Sequence, residues 1–458
     1  MPGRDAVDVL ATLLPAGRVI TDPAIIEGYR YDRARDARVG RPRAVVRPAG
    51  TSEVQTVVRW AGRHGVPVIP RGAGTGLSGG AGAVDGCVML TLEHMRAVAV
   101  DPDTRVAVAQ PGALNVEIKR AAAEHGLWYP PDPSSFEMSS IGGNVATNAG
   151  GLCCVKYGVT GDYVLGLEVV LADGTAVKLG GPRIKDTAGL SLMKLFVGSE
   201  GCLGVITEVT VRLLPAPAPA STLVAAFPDM IRAADAVLAI TAGLRPSVLE
   251  LMDRTSVNAV EDKLGMGLDR EAGALLLVCS DAPGPASAAE IEAVAQICTR
   301  HGATEIHATD DPAEGEALAV ARRTVLPALE QRGDLLLEDV GVPLPALSAL
   351  VEGVAEIAEE YGLTIALVAH AGDGNTHPMI VYDAGAPDSA ARAALAFDAV
   401  MDLALSLDGT ITGEHGVGRL KRGWLPAYLG PEVLALNRRI KTALDPQGLL
   451  NPGAVFEN

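Results

Sequence analysis

The sequence predicts an α+β protein of two domains, and three observations carry that prediction. The chain has 458 residues, more than one ordinary hydrophobic core accommodates. Hydrophobic residues make up 48% of it, yet aromatics only 3%, so large interiors must be built from Ala, Val, Leu and Ile. A Pro-Ala alternation from Pro215 to Pro219 reads as a linker between halves of different pattern. It divides a first domain over residues 1–217, with its core over roughly 40–217, from a second over 218–458 whose last segment returns to the first.

The first half is rich in short strands. Ala44–Val46 reads as extended, and Thr51 or Ser52 caps a helix that places Val54, Val57, Val58 and Ala61 on one face. Val66–Ile69 is a buried strand. Short apolar strands follow at Val88–Leu90 and Val106–Val108, and a helix runs from Asn115 to His125. Leu167–Leu171 and Ala176–Leu179 flank Asp173-Gly174, a hairpin signal. Val205–Leu213 alternates as another strand. Beyond the linker, strands pair with helices: Leu275–Cys279 with Pro285–Arg300, Leu335–Glu338 with Leu344–Tyr361, and Thr364–Val368 with Ser389–Leu407. That pattern predicts an antiparallel sheet with helices on one face.

Charge and composition exclude several functions. A net charge of -17 opposes binding to nucleic acid or an anionic membrane, and obliges any acidic substrate to find a local cationic pocket. No apolar run reaches the length of a membrane span, and Met1–Leu14 has no long apolar segment of the signal-peptide kind. Six scattered cysteines without a C-x-x-C predict free thiols in a reducing, cytoplasmic setting, and no iron–sulfur cluster or zinc ribbon in this chain.

Two glycine-rich segments suit an extended diphosphate ligand. The first is Pro70, Arg71, Gly72, Ala73, Gly74, Thr75, Gly76 and Leu77, continuing to Gly80. Glycines let backbone N–H groups turn toward an anion, and Arg71 adds charge. Gly74, Gly76 and Gly79 satisfy G-x-G-x-x-G, but no helix opens at the loop, as a dinucleotide fold of the Rossmann type requires. The second segment, Ile141–Gly151, follows a Pro-rich stretch containing Pro131 and Ser134. A third, Val197–Thr207, leads into a strand. Alone, the first loop reads equally as a flexible surface turn.

Only eight histidines exist, and three lie in two Gly-flanked motifs. His370 and His377 flank Gly372-Asp373-Gly374-Asn375, and Glu414-His415 sits between Gly413 and Gly416. Two imidazoles on either side of a turn can converge, and a carboxylate completes a His₂Glu set for a divalent ion with an open position. Taken singly, each histidine reads as structural or merely exposed.

Together, the three loops resemble the FAD-binding domain of the vanillyl-alcohol-oxidase or p-cresol-methylhydroxylase type, and the resemblance covers nearly the whole chain. The H-x-G-D-G-N-x-H and G-E-H-G motifs resemble the subgroup containing the glycolate oxidase D-subunit, D-lactate dehydrogenase and D-2-hydroxyglutarate dehydrogenase. The resemblance implies that Pro70–Leu77 cradles the FAD diphosphate, and that Pro131, Ser134, Gly142, Gly143, Thr147, Gly150, Gly151, Ile206 and Asn451 line the cofactor. FAD is expected to be non-covalent, since the first loop has no His or Cys. Cys153 and Cys154, just after the second loop, read as small buried hydrophobes.

By the same resemblance, His370, His377 and Glu414 bind a divalent metal, Zn or Mn, His415 is the catalytic base, and Asn375 lies near the substrate. Alternatively, His370 and His377 bind the substrate carboxylate directly. Arg322, rather than Arg323, stands where the family has a substrate arginine, and a solvated helix arginine is its other reading. The family's tryptophan before that arginine is absent, with Ala319-Val320 in its place. Leu326 and Leu337 stand where dicarboxylate enzymes carry a threonine and a lysine, which favours a monocarboxylic 2-hydroxy acid. Lys421 and Asn451-Pro452-Gly453 also match family positions. The implied function is FAD-dependent oxidation of a small 2-hydroxy acid, with electrons passing to a protein partner, quinone or cytochrome. A homodimer, or a complex with an iron–sulfur subunit that holds the chain at a membrane, is compatible with it. The rivals are a flavin transferase resembling alkylglycerone-phosphate synthase, and a flavin subunit inactive by itself.

Overall fold

The computed structural model describes residues 6–36 and 38–457, so the start of the Met1–Leu14 stretch lies outside it. The chain forms two compact units. One comprises Met1–Ala149, Val159–Ala216 and Glu414–Asn458, the other Gly150–Gly158 and Pro217–Gly413.

Among its described residues the first unit holds two larger sheets and a two-stranded ribbon. Strands β1 (Val19–Ile20), β2 (Ala44–Val46), β3 (Val68–Arg71) and β4 (Val88–Thr91) form one in the order β1-β2-β4-β3, with β4 parallel to both β2 and β3. The helix Thr51–His64 connects β2 to β3 and buries Val54, Val57, Val58, Trp60 and Ala61, the apolar stripe its periodicity predicts. Its N-cap is Gly50, not Thr51 or Ser52. Thr51 is the first helical residue, and its hydroxyl turns to the Glu168 carboxylate instead. The next strands are β5 (Val98–Asp101), β6 (Val106–Ala109), β7 (Leu127–Trp128), β8 (Val164–Val170), β9 (Ala176–Gly180), β10 (Val205–Arg212) and β11 (Leu214–Pro215). Five of them make an antiparallel sheet ordered β5-β6-β10-β8-β9, while β7 and β11 pair as a short ribbon.

The second unit is built on one antiparallel sheet. Its strands are β12 (Ser221–Phe227), β13 (Val248–Asp253), β14 (Ala274–Ser280), β15 (Glu305–Thr309), β16 (Asp334–Leu337), β17 (Val340–Gly341), β18 (Thr364–His370) and β19 (Asn375–Tyr382). They run β15-β12-β14-β13-β18-β19-β16, with β17 also on β19. The expectation of helices on one face needs correcting. Every residue of β14 is buried, which requires cover on both sides. One face packs Ala226, Met252, Leu275, Val368 and Met379 against Val257 and Val260 of helix Arg254–Leu264, Ala321 of helix Pro312–Arg323, and Val325 and Leu329 of the short helix after it. The other helices, Met230–Thr241, Pro285–Arg300, Leu347–Tyr361 and Pro387–Ser406, pack on one another and on the strands. The segment Gly150–Gly158 belongs here: Lys156 and Tyr157 both bond the Asp281 carboxylate, and Arg245 donates to the Lys156 carbonyl at 2.6 Å.

Candidate active site

In the first unit, the glycine-rich segments are stitched together by the chain around His415. Ser78, at the end of the first loop, donates to the His415 carbonyl at 3.1 Å and accepts the N–H groups of Arg419 and Leu420 at 2.9 and 3.1 Å. Gly418 makes that approach feasible. Its φ is +53°, and a Cβ there would stand 2.0 Å from the Ser78 carbonyl oxygen. Glu200, in the third segment, accepts from the N–H groups of Val417 at 2.7 Å and Gly418 at 2.9 Å. Burial pushes the Glu200 carboxyl up to about 7, against the opposing pull of those two N–H groups. Arg419 donates to the carbonyls of Gly79, Gly80 and Pro452 and to Asn451 Oδ1.

The predicted cofactor residues occupy these segments. Pro70 and Arg71 end β3. Arg71 is buried, with Nη1 donating to the Ala81 carbonyl at 3.4 Å and its guanidinium carbon 5.7 Å from the Tyr29 ring centre, so it braces the loop from within. Asp32 holds the same loop through the N–H of Ala81 at 3.3 Å, and burial raises its carboxyl to about 6. Ile141–Thr147, read as loop, is a seven-residue helix containing Gly142, Gly143 and Thr147. It carries the third segment on its last turns, where the N–H groups of Gly198 and Glu200 donate to Val145 and Ala146. Pro131 is buried and Ser134 exposed, and Ile206 lies on β10. Gly150 and Gly151 fall in the second unit. Asn451 donates to the carbonyls of Gly80 at 2.9 Å and Glu200 at 2.7 Å, joining the first and third segments. Ser140 is buried at the seam of the first two, its Oγ 2.3 Å from where a Cβ of Gly72 would be. Among the described residues nothing hydrogen-bonds that hydroxyl. Glycine-lined backbone and an unsatisfied buried hydroxyl fit a diphosphate-bearing cofactor. Of the cysteines after the second segment, Cys153 is buried and Cys154 half-buried.

In the second unit, the sheet register assembles the polar residues. Glu250 pairs with His370, His370 with Asn375, and Val368 with His377. Directly paired residues, and residues two apart on a strand, share a face, so Glu250, His370, Asn375 and His377 lie together beside Met252 and Val368. The His370 and His377 rings meet edge to face at 5.1 Å. Glu250 Oε1 is 2.7 Å from His370 Nδ1, and Asp339 Oδ1 is 3.8 Å from His377 Nδ1. Arg322, in the last turn of its helix, points to this face: its Nε forms an ion pair with Glu250 Oε2 at 2.8 Å. Arg323 turns instead to Glu316. Asp339 also accepts from Thr412 Oγ1 at 2.7 Å and the Gly413 N–H at 3.0 Å. A Cβ on Gly413 would overlap the Asn375 amide at 2.3 Å. In the next two residues, Glu414 Oε1 is 3.8 Å from His415 Nε2.

Sequence reasoning missed Asp32, Glu200, Glu250, Asp339 and Arg419. The signal for Glu250 was a lone charge inside the apolar run Val248–Met252. For the others, the partners lie too far away in the chain to be read from it.

The fold and these motifs define a flavin-dependent oxidoreductase. Residues 42–180 match the FAD binding domain family, and residues 216–455 match the C-terminal domain of FAD linked oxidases. The chain belongs to that family of FAD-linked oxidases and dehydrogenases. It is 40% identical over 431 residues to the glycolate oxidase subunit GlcD of Bacillus subtilis (strain 168), covering 93% of this chain and 92% of the relative. It is 37% identical to a D-lactate dehydrogenase of Archaeoglobus fulgidus, covering 94% and 95%. The structure of p-cresol methylhydroxylase shares the fold, with a TM-score of 0.83 at 17% identity over 98% of this chain and 96% of that one.

Proposed function

We propose that the protein oxidises a small 2-hydroxy monocarboxylic acid, of the D-lactate or glycolate class, to the 2-oxo acid, with FAD held non-covalently. The observation that carries this reading is Arg322. The residue is 4% exposed, and Nη2 has no hydrogen-bond partner among the described residues. A buried cationic donor without an acceptor is costly unless an anion completes it. The Oδ1 of Asn375, on the same sheet, is likewise buried without a partner among those residues. Arg322 is assigned to the substrate carboxylate and Asn375 to the polar group beside it. The half-buried Leu326, Leu335 and Leu337 pack on the adjoining apolar core, which favours a short or apolar side chain over a second carboxylate.

FAD, when bound, supplies the hydride acceptor for the Cα hydrogen. His415 takes the hydroxyl proton as that hydride leaves, a role suited to a neutral imidazole near pH 7. His370, His377 and Glu414 would hold a divalent cation, Zn²⁺ or Mn²⁺, which supplies electrostatic stabilisation of the developing alkoxide. The donor set fits such an ion, because His370 has the Glu250 carboxylate on Nδ1 at 2.7 Å, an arrangement typical of metal-bound histidines, and the Asp339 carboxylate stands 3.8 Å from His377 Nδ1. The chain has no C-x-x-C for an iron–sulfur relay of its own, and the two electrons are assigned to a separate protein, quinone or cytochrome, with O₂ as the other acceptor. The relative's designation as an oxidase subunit supports a partner protein. Among the described residues no helix is long and apolar enough to cross a membrane.

The test is anaerobic mixing of the FAD-loaded protein with D-lactate, L-lactate, glycolate and D-2-hydroxyglutarate, following loss of the visible flavin absorption. Bleaching by D-lactate or glycolate is expected. Bleaching by none of the four refutes the substrate class.

A further inference from the structure

Glu250 stands where an ionised carboxylate is hardest to accommodate. It lies in β13, paired with Leu277 on one side and His370 on the other, between Leu249 and Leu251, and is 1% exposed. Burying a charge costs several kcal/mol even after relaxation, and an apolar replacement of a buried ion pair is often neutral or stabilising. Stability alone therefore does not account for it. Its two oxygens are divided: Oε1 lies 2.7 Å from His370 Nδ1, and Oε2 lies 2.8 Å from Arg322 Nε. On the histidine, a carboxylate at Nδ1 draws the ring proton there and puts the acceptor lone pair on Nε2, the form a cation requires. On the arginine, Oε2 holds the guanidinium by charge, 2.8 Å from Nε but without hydrogen-bond geometry, while Nη2 stays without an acceptor among the described residues. The same carboxylate thus prepares one neighbour to receive a cation and the other to receive an anion.

We infer that Glu250 is a positioning residue that couples the two halves of the substrate site, aligning His370 for a divalent metal and Arg322 for the substrate carboxylate. The inference rests on the roles proposed above for those two residues. A carboxylate can hold both neighbours at once, hydrogen-bonding His370 through one oxygen and pairing by charge with Arg322 through the other. A glutamine offers a single acceptor oxygen and a competing donor, so it can serve only one of them.

The experiment compares the parent protein with Glu250→Gln, Glu250→Asp and Arg322→Met, each loaded with FAD. Zn²⁺ affinity is measured by competition with a chromophoric chelator. Carboxylate affinity is measured in metal-free protein from the perturbation of the flavin spectrum by oxalate. Glu250→Gln is expected to weaken both, Zn²⁺ by about 10- to 100-fold and oxalate by about 10-fold. Arg322→Met is expected to abolish oxalate binding and leave Zn²⁺ affinity within about 3-fold, since His370 keeps its carboxylate. Should Glu250→Gln fail to fold, Glu250→Asp retains the charge but is too short to reach both partners, and must weaken at least one affinity by about 10-fold. Parental affinities for both probes in either Glu250 variant overturn the coupling, as does a parent protein that takes up no Zn²⁺. Flavin bleaching by hydroxy acids is scored separately, so failure of the substrate reading is distinguishable from failure of the coupling.

Discussion

Replacing Glu200 by glutamine should change how the protein's stability responds to pH. The parent carboxyl is raised from its ordinary 4.5 to about 7 because desolvation outweighs the N–H groups of Val417 and Gly418 that favour its charged form. A raised acid pKa means that the folded state holds the proton more tightly than the unfolded one. The associated stability is fully present below about pH 4.5 and is lost as pH rises through about 7. A rise of about 2.5 pH units at about 1.36 kcal/mol per unit makes the loss about 3 kcal/mol. Glutamine is nearly isosteric, still accepts from one of the two N–H groups, and does not titrate. The assay is urea unfolding of apoprotein and of Glu200→Gln at intervals from pH 4.5 to 8. The parent's stability relative to the variant should fall by about 3 kcal/mol across that range, with most of the change before pH 7. A flat difference, or one that rises with pH, would refute the claim that desolvation dominates at this carboxyl.

Other outcomes are equally specific. His415→Ala should keep its FAD and reduce it at least about 100-fold more slowly under anaerobic single-turnover conditions; reduction at the parental rate removes His415 as the base. Arg322→Lys replaces a planar fork by a point charge, and should raise the KM for the 2-hydroxy acid at least about 10-fold in steady-state assays. Gly418→Ala forces a Cβ toward the Ser78 carbonyl at a φ of +53°, and should cost about 1–3 kcal/mol, read as a lowered Tm. Dialysis against dipicolinate should lower kcat and Zn²⁺ or Mn²⁺ should restore it, without release of FAD; an unchanged kcat in metal-free protein excludes a catalytic metal.

Local chemistry made part of this protein legible. The stripe at Val54, Val57, Val58 and Ala61 repeats at helical spacing because one face is buried, and the hairpin around Asp173-Gly174 declares itself because its turn demands those residues. The His370–His377 motif is legible for a related reason: a tight turn between antiparallel strands needs glycine, and the residues flanking it are brought close by the turn itself. Ile141–Thr147 misleads because two glycines argue against a helix, while tertiary bonds from Gly198 and Glu200 hold its last turns. The buried acids lie beyond such reasoning. Glu200 meets Val417 and Gly418 across more than two hundred residues, and Glu250 meets His370 across 120. No local rule pairs them. What the sequence does carry is the anomaly itself, a carboxylate in the middle of the apolar stretch 248–252 of β13. Such a residue weakens the strand that bears it unless something distant compensates. Its compensating groups here are a histidine and an arginine that already have chemical assignments. An acid out of place in an apolar strand is therefore informative before its partners are known, because the cost of burying it implies that partners exist.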